Sequence, residues 1–260
     1  MTTDFGLSDG YVGAMKGVIL GIVPGATIID ITHDIHPHGI SDAAFVIATA
    51  APYFPAGTVH MIVVDPGVGS ERRAIAARVG EMFFVAPDNG VLTHILRPFS
   101  GESPQAEIVH LTRREYWLSQ VSNTFHGRDV FAPVAAHLAA GVPLSDLGEP
   151  IDDPILLDLP QPRKRGDGIL EGHVIYVDRF GNLITNIPGM WLDNSTQWQI
   201  EVAGRTIDRL CTTYADAPRG HLLALIGSAG MLELSVREGS AALTLGTGEG
   251  TKVTVRPIDQ

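Results

Sequence analysis

The chain has 260 residues, more than the roughly 150 of one compact domain, so one large domain or two unequal ones are open. Its 45% hydrophobic and 18% charged content excludes the disordered class, and 18 Lys plus Arg against 29 Asp plus Glu give a net charge of −11, which disfavours nucleic acid or an anionic membrane as partner. Cys211 is the lone cysteine, which excludes an intrachain disulfide; no apolar run reaches the roughly 18 residues of a membrane span and no charged leader precedes an apolar segment, so a cytoplasmic protein is expected.

In chain order, Tyr11–Ile22 and Ser41–Ala51 read as helices, and Ala26–Ile31 (ATIIDI), Val59–Val64 (VHMIVV) and Met82–Ala86 (MFFVA) as buried strands. Short strands alternating with helices predict an α/β domain with a mostly parallel central sheet over residues 1–160. Three residues precede Asp4, little room for the strand that should lead into its loop, and an upstream start is expected. Asp152–Asp167, with its prolines and the basic group Arg163, Lys164 and Arg165, reads as a connector. Beyond it, His173–Asp178, Trp198–Val202, His221–Ile226, Met231–Val236 and Lys252–Val255 are short strands punctuated by Gly, Pro and Asn, which predicts a smaller all-β, barrel-like domain over 168–260.

Several loops carry chemistry-bearing residues. In DPGVGSERR, Asp65 sits where the chain must turn after a buried strand, a position where ligands bind in parallel sheets. The same residues also suit a turn capped by Asp65 and a surface pair with Arg72. His126 lies in NTFHGRD ahead of a helical run from Val130 to Ala140, where backbone N–H groups welcome an anion; a histidine satisfied by a carbonyl is the alternative. Asp4, Asp9 and Tyr11 occupy TDFGLSDGYVG, a glycine-containing loop whose carboxylates can accept ribose hydroxyls, although its spacing is not a phosphate-binding fingerprint; Asp9 also suits a helix N-cap. In DRFGNLITN, Asp178 and Asn182 flank a turn, and Phe180 offers a face to a base. GSAGMLE places Ser228 and Glu233 around a strand start. His33, Asp34, His36 and His38 in THDIHPHG are metal-ligating types, but their spacing sends alternate side chains apart and no HExxH helix aligns two imidazoles, so no metal site is expected.

Together, TTDFG, VDPGVGSERR, NTFHGRDVFAPVAAHLAAG, DRFGNLITN and GSAGMLELSVREGSA resemble the S-adenosyl-L-methionine hydrolases, or SAM hydroxide adenosyltransferases, which are related to the SAM-dependent fluorinase and chlorinase. The resemblance runs in order from Thr2 to about Gly246. It implies an α/β domain followed by a β-barrel, assembled as a homotrimer with active sites between neighbouring subunits, and a reaction that converts SAM to adenosine and methionine without metal or cofactor. Asp65, Arg72 and His126 match the group that acts on water. Asp4 matches the ribose carboxylate, Asp178 the carboxylate for the methionine amino group, Asn182 the adenine amide and Ser228 a methionine carboxylate contact, while Glu233 falls in the same substrate-binding segment. The fluorinase has Tyr where Asp65 and His126 stand, Thr at Val68, and an insertion between the Ala74–Val79 and Met82–Ala86 strands; a carboxylate at Asp65 would repel halide. Halogenation and a nucleoside-binding protein without turnover are the competing readings.

Overall fold

The largely apolar run VHMIV is a strand buried on both faces, and it organises the first of two units, Met1–Leu157 and Asp158–Gln260. The computed structural model describes residues 1–99, 102–193 and 196–258. The first unit contains β1 (Thr2–Thr3), α1 (Tyr11–Ile22), α2 (Ile40–Ala50), β2 (Val59–Val63), β3 (Ala74–Val79), β4 (Met82–Pro87), α3 (Thr93–Leu96), β5 (Ala106–Leu111), α4 (Ala132–Ala139) and β6 (Gly148–Pro150). Strand periodicity sends Met61 and Val63 into a core with Val12, Met15 and Ile19 of α1 and Ala135 and Ala136 of α4. Ile62 and Val64 enter a second core with Ala43 and Ile47 of α2. With helices over both faces, β2 gains nothing from polar alternation, which is why its sequence is apolar apart from the buried His60.

The sheet runs β1-β2-β4-β3-β5-β6. It is mixed, which corrects the expected mostly parallel sheet: β1, β2 and β4 are parallel, whereas β3 pairs antiparallel with β4 and β5, and β5 with β6. The cause is local. Val79 pairs with Met82 across Gly80, at φ 58°, and Glu81, and so short a loop can join only antiparallel neighbours. Ala26–Ile31 is likewise not a strand. The segment runs beside the two residues of β1, bonded from Ile31 N–H to the Met1 carbonyl and from Thr3 N–H to that of Thr32, with one bridge between Thr2 and Thr32. Its partner is too short for a regular ladder.

The second unit contains β7 (Arg163–Lys164), β8 (Leu170–Val177), β9 (Leu183–Pro188), β10 (Gln197–Val202), β11 (Arg205–Ile207), β12 (Leu210–Cys211), β13 (Leu222–Ile226), β14 (Met231–Val236), α5 (Ala241–Leu245) and β15 (Lys252–Ile258). Eight strands follow the path β11-β10-β15-β8-β9-β14-β13-β12, with β7 added on β8. All pairs are antiparallel except β12 with β13. At the path's ends, β10 and β11 come near β12 and β13, so the sheet curls nearly into a barrel. Alternating Ile200 and Val202, Leu232 and Leu234, and Val253 and Val255 fill its interior. Cys211 is buried, as a small apolar filler would be. Among the described residues, no helix is long and apolar enough to cross a membrane.

Candidate active site

β1 and β2 are adjacent and parallel, with Thr3 opposite Val63, so the loops beginning at Asp4 and at Asp65 leave the same edge of the sheet. The loop after β2 folds back through Gly69, at φ 78°, whose hydrogen lies where a Cβ would come within 2.4 Å of the Asn123 carbonyl. That reversal brings Arg72 onto Asp65. Arg72 Nε donates to both Asp65 oxygens at 2.9 and 3.0 Å, and Nη2 donates to Oδ2 as well. The Arg72 and Asp65 side chains are 10% and 5% exposed, so this is a shielded ion pair rather than a surface one.

Arg72 Nη2 also lies 2.9 Å from His126 Nδ1. A guanidinium has no lone pair to offer, so Nδ1 accepts and a neutral imidazole carries its proton on Nε2. Burial, and then the Arg72 charge, lower the His126 pKa below its ordinary value despite the opposing pull of Asp65 and Asp129. The imidazole thus presents an N–H donor whose neutral state persists below the usual histidine range.

His126 heads a helical segment that starts earlier than Val130. Its first turn, Gly127–Phe131, is π-type, with Ala132 N–H bonded to the Gly127 carbonyl, and α4 continues from it. A Cβ at Gly127 would come within 3.0 Å of Met15 Sδ and 3.3 Å of Val63 Cγ1, so a glycine lets this turn settle against β2 and α1. Asp129, fully buried, accepts from Ser122 N–H at 2.8 Å and from Arg128 Nε at 2.6 Å, closing the loop that carries His126. Burial alone would raise the Asp129 pKa, but Arg128 and the Ser122 N–H outweigh it and hold the carboxyl low. Phe131, fully buried, lies under Arg72 with 5.2 Å from Cζ to the ring centroid.

The histidine-rich segment has different duties. His33 Nδ1 meets Thr3 Oγ1 at 2.8 Å, and its Nε2 lies 2.9 Å from Asp30. His36 Nδ1 pairs with Asp42 at 2.7 Å. His38, at φ 67°, offers its backbone N–H to Asp4 Oδ2 at 2.9 Å. Among the described residues, no three His, Cys, Asp or Glu side chains group where a metal ion could be held. Asp9 is exposed and caps nothing, since Gly10 occupies the N-cap of α1 without a side-chain bond. Tyr11 packs edge-on to Phe125 at 5.1 Å and lies 5.6 Å from Phe5.

In the second unit, Asp178, Phe180 and Asn182 share one loop. Asp178 Oδ1 accepts from the N–H groups of Phe180 and Asn182, and Oδ2 from Asn182 Nδ2, each at 2.9 Å. Gly181, at φ 78°, permits the turn, and Phe180 is left 77% exposed. Ser228 is exposed in the turn between β13 and β14. Glu233 is buried in β14, where Oε1 accepts from Tyr214 Oη at 2.7 Å and Ser235 Oγ at 2.8 Å.

The sequence descriptions of the SAM hydroxide adenosyltransferase N-terminal and C-terminal domains match residues 1–148 and 172–254. The chain belongs to the SAM hydroxide adenosyltransferase family. It is 41% identical over 256 residues to the (R)-S-adenosyl-L-methionine hydrolase of Salinispora tropica, covering 98% of this chain and 95% of that one. A fluorinase from an Actinoplanes species is 30% identical over 287 residues, 97% of this chain and 95% of its own. The crystal structure of an uncharacterized conserved protein from Thermotoga maritima superposes with a TM-score of 0.90 at 38% identity, covering 98% of each chain.

For this member of the hydroxide adenosyltransferase family, the structure joins Asp65, Arg72 and His126 in one bonded group and leaves Asp9 apart from any bonded group. Sequence reasoning passed over Phe131 and Tyr214. Phe131 stands five residues after His126, a spacing without meaning until the π turn places it under Arg72. Tyr214 gives no signal in its own segment, because its hydroxyl acts on a strand 19 residues further along.

Proposed function

We propose that this chain hydrolyses S-adenosyl-L-methionine to adenosine and L-methionine. The observation that carries the reading is the Arg72 guanidinium, bonded at once to Asp65 and to His126 Nδ1, three residues from two distant loops that make a small polar site. The near full-length similarity to a relative named (R)-S-adenosyl-L-methionine hydrolase supports the same reaction. Thioether methionine is a good leaving group from a sulfonium, so the protein's work is to align water and make it nucleophilic.

Water oxygen bonds to ribose C5′ while the C5′–S pair departs onto sulfur, and one proton is released. With Nδ1 occupied by Arg72 and protonation disfavoured, the Nε2–H of His126 donates to the water oxygen and orients it. The group left to take the proton is Asp65, held in place by the Arg72 fork. The guanidinium also favours hydroxide character in the attacking oxygen. Asp4, oriented by the His38 N–H, takes the ribose hydroxyls in this reading, with Asp9 and Tyr11 on the same loop, while Asn182 and Phe180 serve the adenine. The carboxylate at position 65 disfavours halide as the nucleophile, despite the similarity to the fluorinase. Assembly as a homotrimer with active sites between neighbouring subunits, and a cytoplasmic location, complete the proposal.

The test uses metal-stripped protein in water enriched in oxygen-18, offered the two sulfonium epimers separately because the relative's name specifies (R). Adenosine labelled at its 5′ oxygen establishes attack by solvent at C5′. Intact substrate with adenosine retained on the protein supports a binding protein, and a 5′-halo nucleoside formed in chloride or fluoride supports halogenation.

A further inference from the structure

The loop from Asp65 to Arg73 carries two of the three bonded site residues, yet none of its side chains joins an apolar core. Its inner bonds, from Val68 N–H to the Asp65 carbonyl and from Ser70 N–H and Oγ to that of Gly67, tie it to itself and not to the sheet. A loop of this kind takes its attitude from its ends. It joins β2 to β3, and β4 lies between them in the sheet, so the chain just past β4 stands beneath both ends. At the entry, Asn89 Nδ2 donates at 2.9 Å to the carbonyl of Val64, one residue before Asp65. Asn89 Oδ1 accepts from Val91 N–H at 3.2 Å, which keeps the amide nitrogen turned to Val64. At the exit, Asp88 N–H donates to the Arg73 carbonyl at 2.9 Å, and Asp88 Oδ2 accepts from Arg73 Nε at 2.8 Å. Asp88 is 1% exposed, and its other oxygen accepts from Ile155 N–H at 2.8 Å, so it is itself held. The neighbouring arginines thus divide their duties, Arg72 toward Asp65 and His126, Arg73 toward Asp88.

We propose that Asp88 and Asn89 are positioning residues for the group of Asp65, Arg72 and His126. By holding Arg73 and Val64 they set where the two ends of the loop stand, and so where Arg72 meets His126. The inference rests on the hydrolase reading for its effect on turnover, whereas its effect on the imidazole needs no reaction. The charges that act on His126 are Arg72 and Asp65 from this loop and Asp129 from its own turn; burial lowers its pKa most, and Arg72 next. A loosened loop relieves both, so the imidazole should then titrate closer to the ordinary 6.5.

The experiment titrates the His126 imidazole by NMR in substrate-free protein, its resonance identified by loss in His126→Asn, and measures kcat and KM with S-adenosyl-L-methionine. The chains compared are the wild type, Asn89→Ala, Asp88→Asn and Thr93→Val. In Asn89→Ala and Asp88→Asn the imidazole pKa should rise toward 6.5. Their kcat should fall about 10- to 100-fold with KM within about threefold, because the loop acts on the water and not on the rest of the substrate. Asp88→Asn removes a negative charge, which by itself would lower the imidazole pKa, so a rise there reports movement of the loop; it also covers the case in which Asn89→Ala does not fold. Thr93→Val is the structural control. It breaks the bonds of Thr93 Oγ1 with the Gly90 carbonyl and Leu157 N–H near the same strand end, and should move neither the imidazole nor kcat. An imidazole that titrates as in the wild type, or a shift as large in Thr93→Val, overturns the inference. Should the wild type leave S-adenosyl-L-methionine intact, the hydrolase reading fails and the titration alone decides the positioning role.

Discussion

Two segments of the first unit use the same residue types to opposite ends. Residues 65–72 and 126 bring Asp, Arg and His side chains to a shielded point where every polar group answers to Arg72. The stretch from His33 to His38 is richer in potential ligands, yet its imidazoles point to separate partners, Thr3 and Asp42, and its most consequential bond comes from a backbone N–H. Density of reactive residues in sequence says little. What matters is whether the backbone reverses tightly enough to make side chains converge, as Gly69 does for the first segment.

The comparison breaks most directly at Arg72. Arg72→Met removes the pairing of Asp65 and the donor to His126 together and should lower kcat/KM by about 10³-fold or more, measured by adenosine release at neutral pH. Asp65→Asn retains the shape and removes the proposed proton acceptor, with an expected loss of about 10²- to 10³-fold; wild-type turnover in that variant would refute its role. Phe131→Ala should cost about 3–5 kcal/mol of stability by chemical denaturation, because the ring is fully buried, and should disturb Arg72 as well.

The pH dependence sharpens the contrast. In the proposed mechanism the imidazole acts in its neutral form, and its pKa lies below the ordinary 6.5, so activity should persist as pH falls through 6.5 and drop at lower pH. His126→Asn should be slower and lack an acid limb of imidazole origin. The smallest effect belongs to the other segment: His36 is exposed and pairs with Asp42 alone, and His36→Asn should leave turnover within about twofold, with or without chelator. A large loss on chelation would restore the metal reading of that segment.

These contrasts mark how far the sequence could be read. Met231–Val236 was legible to its end residues because its alternation and its flanking glycines agree. Val59–Val63 was legible as buried, but strand direction is not written in an apolar run, and the antiparallel turn at Gly80–Glu81 fell between segments read as separate strands. The ATIIDI segment has strand composition and lacks a long partner, a fact of tertiary context. At the site, each loop was visible by itself with a plain structural alternative. The 54-residue gap between Arg72 and His126 closes only in space, and the resemblance, not the spacing, linked them.

The π turn at Gly127–Phe131 amounts to one residue more than a regular helix would hold over the same rise. Removing a single residue from it would let the helix relax to ordinary winding and would rotate His126 by about 100° about the axis relative to α4. The imidazole would then leave Arg72 although every site residue remained present. On the proposed mechanism the chemistry can therefore be lost through a change in chain length alone, and a variant of this chain lacking that one residue should release no adenosine although Asp65, Arg72 and His126 are all present.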